Sequence, residues 1–202
     1  PANKLVTSLE SWLICHGKAK WLKHCPLSIV SSEPETLIEF MKKHGGKWVL
    51  KPNAGSYARD LSFIQEQEQG ALQIREACAA SREFFILQRF LPEIQEGELR
   101  CLCVDGQLIG KYLKIPNDNL TANVFEGASI EKATISQKQE KLIQAISDDL
   151  TEHKIGFAAI DMVGPTLMEV NIANPGGLES LQKIYNHDFS ADLVSKISER
   201  FS

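Results

Sequence analysis

The sequence has no long hydrophobic run and little surplus charge of either sign. Its 202 residues include 22 Lys and Arg against 26 Asp and Glu, which gives a formal net charge of −4. Without a basic face to neutralise phosphates in bulk, we expect neither nucleic acid nor an anionic membrane as a partner. No apolar stretch is long enough to cross a bilayer. The hydrophobic content of 43% is typical of globular proteins that bury a full core.

Cysteine is scarce and irregularly spaced. The chain has five cysteines, an odd number, and it contains no CxxC pair. Cys101 and Cys103 lie in an apolar run, which favours buried thiols in a strand over a metal or redox pair. Because reduced thiols are typical of the cytoplasm, we expect a cytoplasmic protein.

Several well-known catalytic signatures are also missing. The sequence contains no GxxxxGK[ST], no GxSxG, no HExxH and no GxGxxG. The five histidines have no spacing typical of metal ligands. Any phosphate binding must therefore be local and must use a different arrangement of residues.

Short apolar strands are intermixed with amphipathic helices along the chain. Asp105-Gly106 and Gly164-Pro165 predict tight turns between strands. This order predicts an α+β fold with antiparallel sheets rather than a doubly wound parallel sheet. A change of character near residues 88–92 predicts a hinge between two lobes. Residues 116–130 lack periodicity, which is typical of a lid or of a simple mobile loop.

Helix starts have their own signals. Leu5, Leu9 and Leu13 recur every four residues and predict one face of a first helix. Two pairs have the spacing of capping boxes, Ser32 with Glu35 and Ser136 with Gln139. A helix is therefore predicted after each pair.

The strongest chemical signal is a set of oxygen-bearing side chains on two adjacent strands. Asp161 lies on one predicted strand, and Glu169 and Asn171 lie two apart on the next, so those two share a face. Carboxylate and amide oxygens suit a hard cation such as Mg²⁺, which also bridges to phosphates. The alternative is a polar stripe on a half-exposed strand.

Cations at strand ends form a second signal. Lys51 ends an apolar strand and can meet phosphate oxygens, although a solvated strand end is the alternative. Arg100 opens another strand and can bind a carboxylate or a phosphate with two hydrogen bonds, or form a surface ion pair. Lys4, Lys111 and Lys114 carry the same ambiguity. Metal ligands, cations and a lid together favour phosphoryl chemistry, which depends on positioning and charge neutralisation.

Six runs of the sequence resemble the bacterial glutathione synthetase family in order and at similar spacing. They are residues 49–52, 88–94, 97–100, 104–106, 114–116, and 161 with 169–171. The resemblance implies an ATP-grasp fold, in which two α+β lobes hold ATP between them. Residues 1–87 would form the first lobe, and 88–202 the second lobe with the metal site and the lid. The family's amino-terminal substrate domain is expected to be absent from this chain.

The same resemblance implies roles for individual residues. The positions implied to bind ATP are Lys4, Lys51, Gln88, Arg89, Phe90, Leu91 and Glu98. The positions implied to hold Mg²⁺ are Asp161, Glu169 and Asn171. Catalytic roles fall to Arg100, near the acyl phosphate, and to Lys114, which stands where the family has arginine.

The implied reaction is the ATP-dependent formation of an amide, with release of ADP and phosphate. The family joins γ-glutamylcysteine to glycine. Two loops depart from the family pattern, because residues 53–60 contain one glycine and residues 121–127 lack the expected arginine. These departures leave two alternatives open, a ligase for a different amino acid or peptide and a catalytically degenerate nucleotide-binding module. Homo-oligomerisation also stays open.

Overall fold

The computed structural model describes residues 5–54, 61–117, 127–199 and 201, which form two compact units. One unit is Gly17–Pro92, and the other joins the described residues of Pro1–His16 to those of Glu93–Ser202. The sequence-based prediction places the boundary between the two lobes at residues 87 and 88. Helix α1 (Leu9–Cys15) belongs to the second unit, where the Thr7 hydroxyl accepts a hydrogen bond of 3.1 Å from the Gly156 N–H.

The Gly17–Pro92 unit is a four-stranded antiparallel sheet with two helices on one face. A 3-10 helix, Lys18–His24, leads into it. The elements that follow are β1 (Ser28–Ser31), α2 (Pro34–His44), β2 (Trp48–Pro52), β3 (Ser62–Ile64), α3 (Gln67–Ala80) and β4 (Phe85–Arg89). The strand order is β1-β4-β2-β3. Alternate side chains such as Trp48, Leu50 and Leu87 pack against α2 and α3, which leaves the neighbouring positions on the other face.

The second unit is a five-stranded antiparallel sheet in the order β7-β6-β5-β8-β9. A short 3-10 helix, Pro92–Glu96, precedes it. Its elements are β5 (Glu98–Val104), β6 (Gln107–Ile115), β7 (Ser129–Lys132), α4 (Gln137–Glu152), β8 (Phe157–Val163), β9 (Thr166–Asn171), α5 (Leu178–Tyr185) and α6 (Phe189–Glu199). Side chains of α5 and α6 pack with Leu102, Tyr112 and Ala159 on one face. Helix α4 lies against the other face, where Ser147 hydrogen-bonds Cys103. The antiparallel α+β prediction is confirmed.

Two local predictions are confirmed by the backbone. Asp105 and Gly106 both have positive φ, 47° and 74°, as the tight turn between β5 and β6 requires. Ser136 and Gln139 form a complete capping box at the start of α4. Both features depend on neighbouring residues alone, so a sequence pattern is sufficient to locate them.

The other predicted capping box is wrong. Helix α2 begins at Pro34 after Glu33, and Glu33 makes no side-chain cap. Proline at the first helical position has no N–H to be capped, and its φ is already helical. The Ser31 hydroxyl instead accepts a hydrogen bond of 2.9 Å from the Glu33 N–H.

Three further elements differ from the sequence-based expectation. Helix α1 is present, but the face formed by Leu5, Leu9 and Leu13 is 48–63% exposed. Residues 129–132 form β7 by pairing with β6, although residues 129 and 130 fell in the predicted loop. Residues 118–126 of that loop lie outside the described part of the chain. Helix α5 was not predicted, because it starts after Gly177 without a side-chain cap.

The described cysteines and helices match two predictions made from the sequence, buried thiols in β5 and no membrane-spanning segment. Cys101 and Cys103 are buried in β5 as predicted, and none of the five described cysteines forms a disulfide. Burial raises the pKa of the Cys103 thiol to about 11. Across the described residues, every helix is too short or too polar to cross a membrane.

Candidate functional site

Polar side chains gather on one face of the second unit's sheet. The antiparallel register places Glu98 opposite Lys114, and Arg100 opposite Asp161. Directly opposed residues project from the same face, so their side chains meet. The set comprises Glu98 and Arg100 on β5, Lys114 on β6, Asp161 on β8, and Glu169 and Asn171 on β9. Most of the site residues predicted for this unit are thus brought together by strand pairing.

A β-bulge decides that β9 contributes to this face. Asp161 pairs with Glu169, whereas Met162 pairs with Leu167, so Met168 is an extra residue on β9. In a regular register, the partner of Asp161 would be Met168 and Glu169 would point to the opposite face. The bulge therefore puts both Glu169 and Asn171 on the side of the sheet that carries Asp161.

Asp161 is the centre of the cluster. Arg100 donates to it with two nearly parallel hydrogen bonds, Nε to Oδ1 at 2.8 Å and Nη2 to Oδ2 at 2.6 Å. The Lys114 Nζ lies 3.3 Å from Oδ1, and the Asn171 Nδ2 donates to Oδ2 at 3.1 Å. The Asp161 side chain is only 5% exposed. Each carboxylate oxygen therefore faces two protein donors, which uses the acceptor capacity of the group.

Lys114 joins Asp161 to a second buried acid. Its Nζ donates to the Glu98 Oε1 at 2.5 Å, and the two side chains are 8% and 13% exposed. Burial opposes the charged form of Lys114, but Asp161 and Glu98 outweigh this and raise its pKa. The predicted catalytic lysine therefore stays charged inside the protein.

The two acids respond to this environment in opposite directions. Burial disfavours a charged Asp161, yet Arg100 and Lys114 outweigh burial and hold its pKa below the usual range. Burial raises the pKa of Glu98 to about 7, even though Lys114 works against that increase. Of the two acids, Asp161 is thus the one that stays charged.

Backbone from the segment before α5 closes on the same cluster. The Arg100 Nη1 donates to the Gly176 carbonyl at 3.3 Å. Gly177 has φ of 126°, and a Cβ there would lie 2.7 Å from the Tyr112 hydroxyl oxygen. Only glycine fits such a position without strain. Sequence reasoning missed Tyr112, Gly176 and Gly177 as site residues, although the Gly176-Gly177 pair was the available signal.

The Gly17–Pro92 unit holds a separate polar pair on the sheet face opposite its core. The Lys51 Nζ donates to the Gln88 Oε1 at 3.0 Å, and the two residues are 6% and 1% exposed. Because an ammonium can only donate, the amide must turn its oxygen toward Lys51. The Gln88 Nε2 then has no hydrogen-bond partner among the described residues.

In the predicted adenine-binding segment, many hydrogen-bond donors are already bonded to carbonyls of the same unit. The Arg89 guanidinium stacks over Trp48 at 4.2 Å and donates to the His44 carbonyl at 3.0 Å. The backbone N–H groups of Arg89 and Phe90 donate to the carbonyls of Leu27 and Lys47, at 2.8 and 3.0 Å. A bound base would therefore have to use other groups, such as carbonyls or Leu91.

Some of the sequence-based site predictions fall outside the described residues. They are Lys4, residues 55–60 of the loop after Pro52, and residues 121–126 of the predicted lid. Lys111, which was ambiguous, lies on β6 with its backbone carbonyl accepting a hydrogen bond from the Tyr185 hydroxyl at 3.0 Å.

The donor chemistry of the predicted metal site fits Mg²⁺. Two carboxylates and an amide lie side by side on β8 and β9, and hard cations prefer such oxygens. The amide orientation is an assignment that a rotation reverses, so Asn171 can present either its nitrogen or its oxygen. In the described ranges, however, no three His, Cys, Asp or Glu side chains are arranged to hold a metal. The oxygens of Asp161 are engaged by protein donors instead.

Solved structures define the class of protein by its fold. D-cycloserine synthetase superposes with a TM-score of 0.77 at 16% identity, covering 98% of this chain and 74% of that one. D-alanine–D-alanine ligase from Bacillus anthracis, complexed with ATP, gives 0.72 at 18% identity, with 96% and 68% covered. The ATP-grasp ligase PsnB gives 0.69 at 17% identity, with 96% and 64% covered. The chain has the ATP-grasp fold, as the resemblance implied.

The family model for the prokaryotic glutathione synthetase ATP-grasp domain matches residues 17–186, and the chain belongs to this family. Similar curated proteins include the glutathione synthetase of Prochlorococcus marinus, 25% identical over 195 residues, with 96% of this chain and 63% of that protein covered. The enzyme of Rhodopseudomonas palustris is 25% identical over 177 residues, with 87% and 56% covered. That of Synechocystis is 25% identical over 178 residues, with 87% and 55% covered. The chain thus spans 55–63% of the length of these relatives.

Proposed function

We propose that this chain is the ATP-binding, catalytic part of an ADP-forming carboxylate–amine ligase. The observation that carries the proposal is the buried cluster of Arg100, Lys114 and Asp161 beside Glu169, in a chain of this family. In the proposed reaction, a substrate carboxylate oxygen attacks the γ-phosphorus of ATP, and the bond from that phosphorus to ADP breaks. An amine then attacks the acyl phosphate, loses a proton and displaces inorganic phosphate to leave an amide.

In this proposal, the charged side chains of the second unit position the phosphates and neutralise their charge. Arg100 offers a planar pair of donors to the phosphoryl group of the acyl phosphate, and Lys114 offers a compact positive charge. Asp161, Glu169 and Asn171 would hold Mg²⁺, which neutralises charge on the transferred phosphoryl group. Glu98 is the proposed partner of the ribose.

The Gly17–Pro92 unit supplies most of the remaining proposed contacts to ATP. Lys51 is the proposed phosphate ligand, with Lys4 as a second cation from outside the described residues. The segment from Gln88 to Leu91 is the proposed site of the base. The buried side chains of Lys51 and Gln88 support this assignment, since they keep polar groups on the sheet face opposite the core.

For the substrates, we propose γ-glutamylcysteine and glycine, as in the glutathione synthetases to which the chain is similar. A ligase for a different amino acid or peptide is the second candidate, favoured by the single glycine in residues 53–60 and the missing arginine in residues 121–127. The same loops favour a nucleotide-binding module without turnover as the third. The expected cytoplasmic location stays a prediction, as does the oligomeric state.

The test of the proposal is calorimetric ATP binding with and without Mg²⁺. We expect binding to require Mg²⁺ and to weaken at least about tenfold in Glu169→Ala, since the loss of even an outer-shell partner of a metal site typically costs about 10–100-fold in affinity. Glu179→Ala is the matched control, because Glu179 is 83% exposed on α5. If the native chain binds no ATP under either condition, the ligase proposal fails.

A second assay separates the three candidates. Release of ADP that depends on γ-glutamylcysteine plus glycine supports the glutathione synthetase reaction. Release that requires a different donor or acceptor supports the second candidate. Tight nucleotide binding without ADP release, across a panel of amino acids and peptides, supports the module without turnover.

A further inference from the structure

Two cations share the carboxylate that is proposed to bind a metal. The Arg100 guanidinium contacts both oxygens of Asp161 at 2.8 and 2.6 Å, and the Lys114 ammonium lies 3.3 Å from one of them. A divalent ion approaching this carboxylate meets two positive side chains that already occupy its oxygens. Repulsion between like charges at such distances is strong when the groups are buried.

A bound polyphosphate changes this balance. Its oxygens accept hydrogen bonds from guanidinium and ammonium groups, so Arg100 and Lys114 gain new partners when a nucleotide is present. The carboxylate then has oxygens available to an ion that arrives with the phosphates. Asn171 adds to this exchange, because rotating its amide replaces a donor toward Asp161 by an oxygen.

We propose that Arg100 and Lys114 act as internal counter-ions that hold Asp161 until a nucleotide arrives, so that metal and nucleotide bind together and metal alone binds weakly. This inference rests on the proposed function, because it concerns the same site. It assigns Lys114 a role beyond contact with substrate, as the positioning residue that couples the two ligands.

Lys114 is the more readily exchanged of the two counter-ions. Its contact with Asp161 is the longer one, at 3.3 Å, and it keeps Glu98 as a partner at 2.5 Å when that contact opens. Arg100 instead makes two short parallel hydrogen bonds, a geometry that is stronger and more specific. Removing the charge of Lys114 is therefore the sharpest test.

The experiment measures binding of Mn²⁺ to the full chain by electron paramagnetic resonance, alone and with a non-hydrolysable ATP analogue. The variants are Lys114→Met and the matched control Lys183→Met, which removes a charge from a side chain that is 66% exposed on α5. We expect Lys114→Met to bind Mn²⁺ alone at least about tenfold tighter than the native chain. The gain in Mn²⁺ affinity caused by the analogue should shrink by a similar factor. The control should behave like the native chain in both respects.

A second variant covers the case in which Lys114→Met does not fold, because that change leaves Glu98 buried without its partner. Glu98→Gln combined with Lys114→Met removes both charges of the pair, which is far less costly than removing one. Asp161 still loses one of its two cations, so tighter binding of Mn²⁺ alone is again expected. Adding Glu169→Ala should abolish the gain, which localises the ion to this cluster.

The outcomes separate this inference from the function on which it rests. If the native chain binds the analogue with Mn²⁺, but neither Lys114 variant changes the affinity for Mn²⁺ alone, the counter-ion role is wrong and the proposed function stands. Tight binding of Mn²⁺ alone to the native chain also contradicts the inference. If the native chain binds neither the analogue nor the ion in any combination, both proposals fail.

Discussion

Gln88 in the Gly17–Pro92 unit and Asp161 in the second unit are both almost fully buried, yet their hydrogen-bonding atoms are used very differently. Gln88 accepts from Lys51, while its Nε2 has no partner among the described residues. Asp161 faces donors from three side chains at both of its oxygens. A buried donor without a partner reduces stability, whereas the cost of burying a fully bonded carboxylate is offset by its partners and becomes large when one of them is removed. Charge removal should therefore matter far more in the second unit than in the first.

The largest effect is expected from Asp161→Ala. This change leaves Arg100 and Lys114 buried without their shared partner, which typically costs about 3–5 kcal/mol of unfolding free energy. Urea denaturation measures the loss. Asp148→Ala is the control, because Asp148 is exposed on α4, and its effect should stay within about 0.5 kcal/mol. A loss below about 1 kcal/mol for Asp161→Ala would contradict the view that the cluster stabilises the second unit.

Glu98 predicts a pH dependence of the stability of the second unit. Burial raises the pKa of Glu98 from 4.5 to about 7, with Lys114, Asp161 and Arg100 facing it. Between these values the folded chain binds more protons at this group than the unfolded chain does, so its contribution to stability falls as the pH rises from 4.5 through 7. Glu98→Gln cannot ionise, and its unfolding free energy should decline less over that range, by roughly 1–3 kcal/mol.

Urea denaturation of both proteins at several pH values between 4.5 and 7.5 measures this difference. Titrating groups away from Glu98 contribute equally to the native chain and to the variant, so they cancel in the comparison. Lys114 and Asp161, which do interact with Glu98, have pKa values shifted away from this range, upward and downward respectively. Parallel curves for the two proteins would show that Glu98 ionises in the folded chain as it does in the unfolded one.

The pair in the first unit should give a smaller effect. Lys51→Met and Gln88→Met each leave one member of a buried hydrogen bond without the other, which costs about 1–2 kcal/mol. The double variant removes both members of the hydrogen bond together, so its loss should be less than the sum of the single losses by about 1 kcal/mol. A double-mutant cycle by urea denaturation measures this coupling, and additive losses would rule it out.

The smallest effect is expected at the surface of the first unit. Arg75 on α3 and Glu35 on α2 form an ion pair at 2.9 Å, with side chains that are 53% and 62% exposed. Solvent screens such pairs and their side-chain entropy opposes them, so many contribute nothing measurable. We expect the midpoint of urea unfolding to be the same for Arg75→Ala and the native chain. A clear shift of the midpoint would mean that the exposure of a charged side chain does not predict its contribution to the stability of this protein.

Local rules explain which parts of the fold were predictable. The Asp105-Gly106 turn and the Ser136 capping box involve residues within four positions of each other, so the sequence pattern was sufficient. The Ser32 signal failed because a competing local rule applied, with Pro34 at the first helical position. Strand β7 was missed because its main partner, β6, lies more than ten residues earlier in the chain, and no pattern within the segment reports that pairing.

The residues of the candidate site also fall into those that the sequence alone could identify and those that it could not. The identities of Lys51, Arg100, Asp161 and Glu169 stood out in the sequence, because charged residues in apolar strands are costly unless they are partnered. Their proposed roles remain predictions. Tyr112 was not singled out, because its place in the site depends on the approach of Gly177 from a distant segment.

The sequence by itself determined the ingredients of this protein, namely the short strands, the tight turns and the family to which the chain belongs. The tertiary structure decided which side chains meet. One extra residue, Met168, turns Glu169 and Asn171 onto the face of Asp161. Because side chains alternate along a strand, a regular register would place Glu169 and Asn171 on the face opposite Asp161. Register depends on pairing between strands and on packing against both faces of the sheet. Neither can be predicted from the residues of one strand alone.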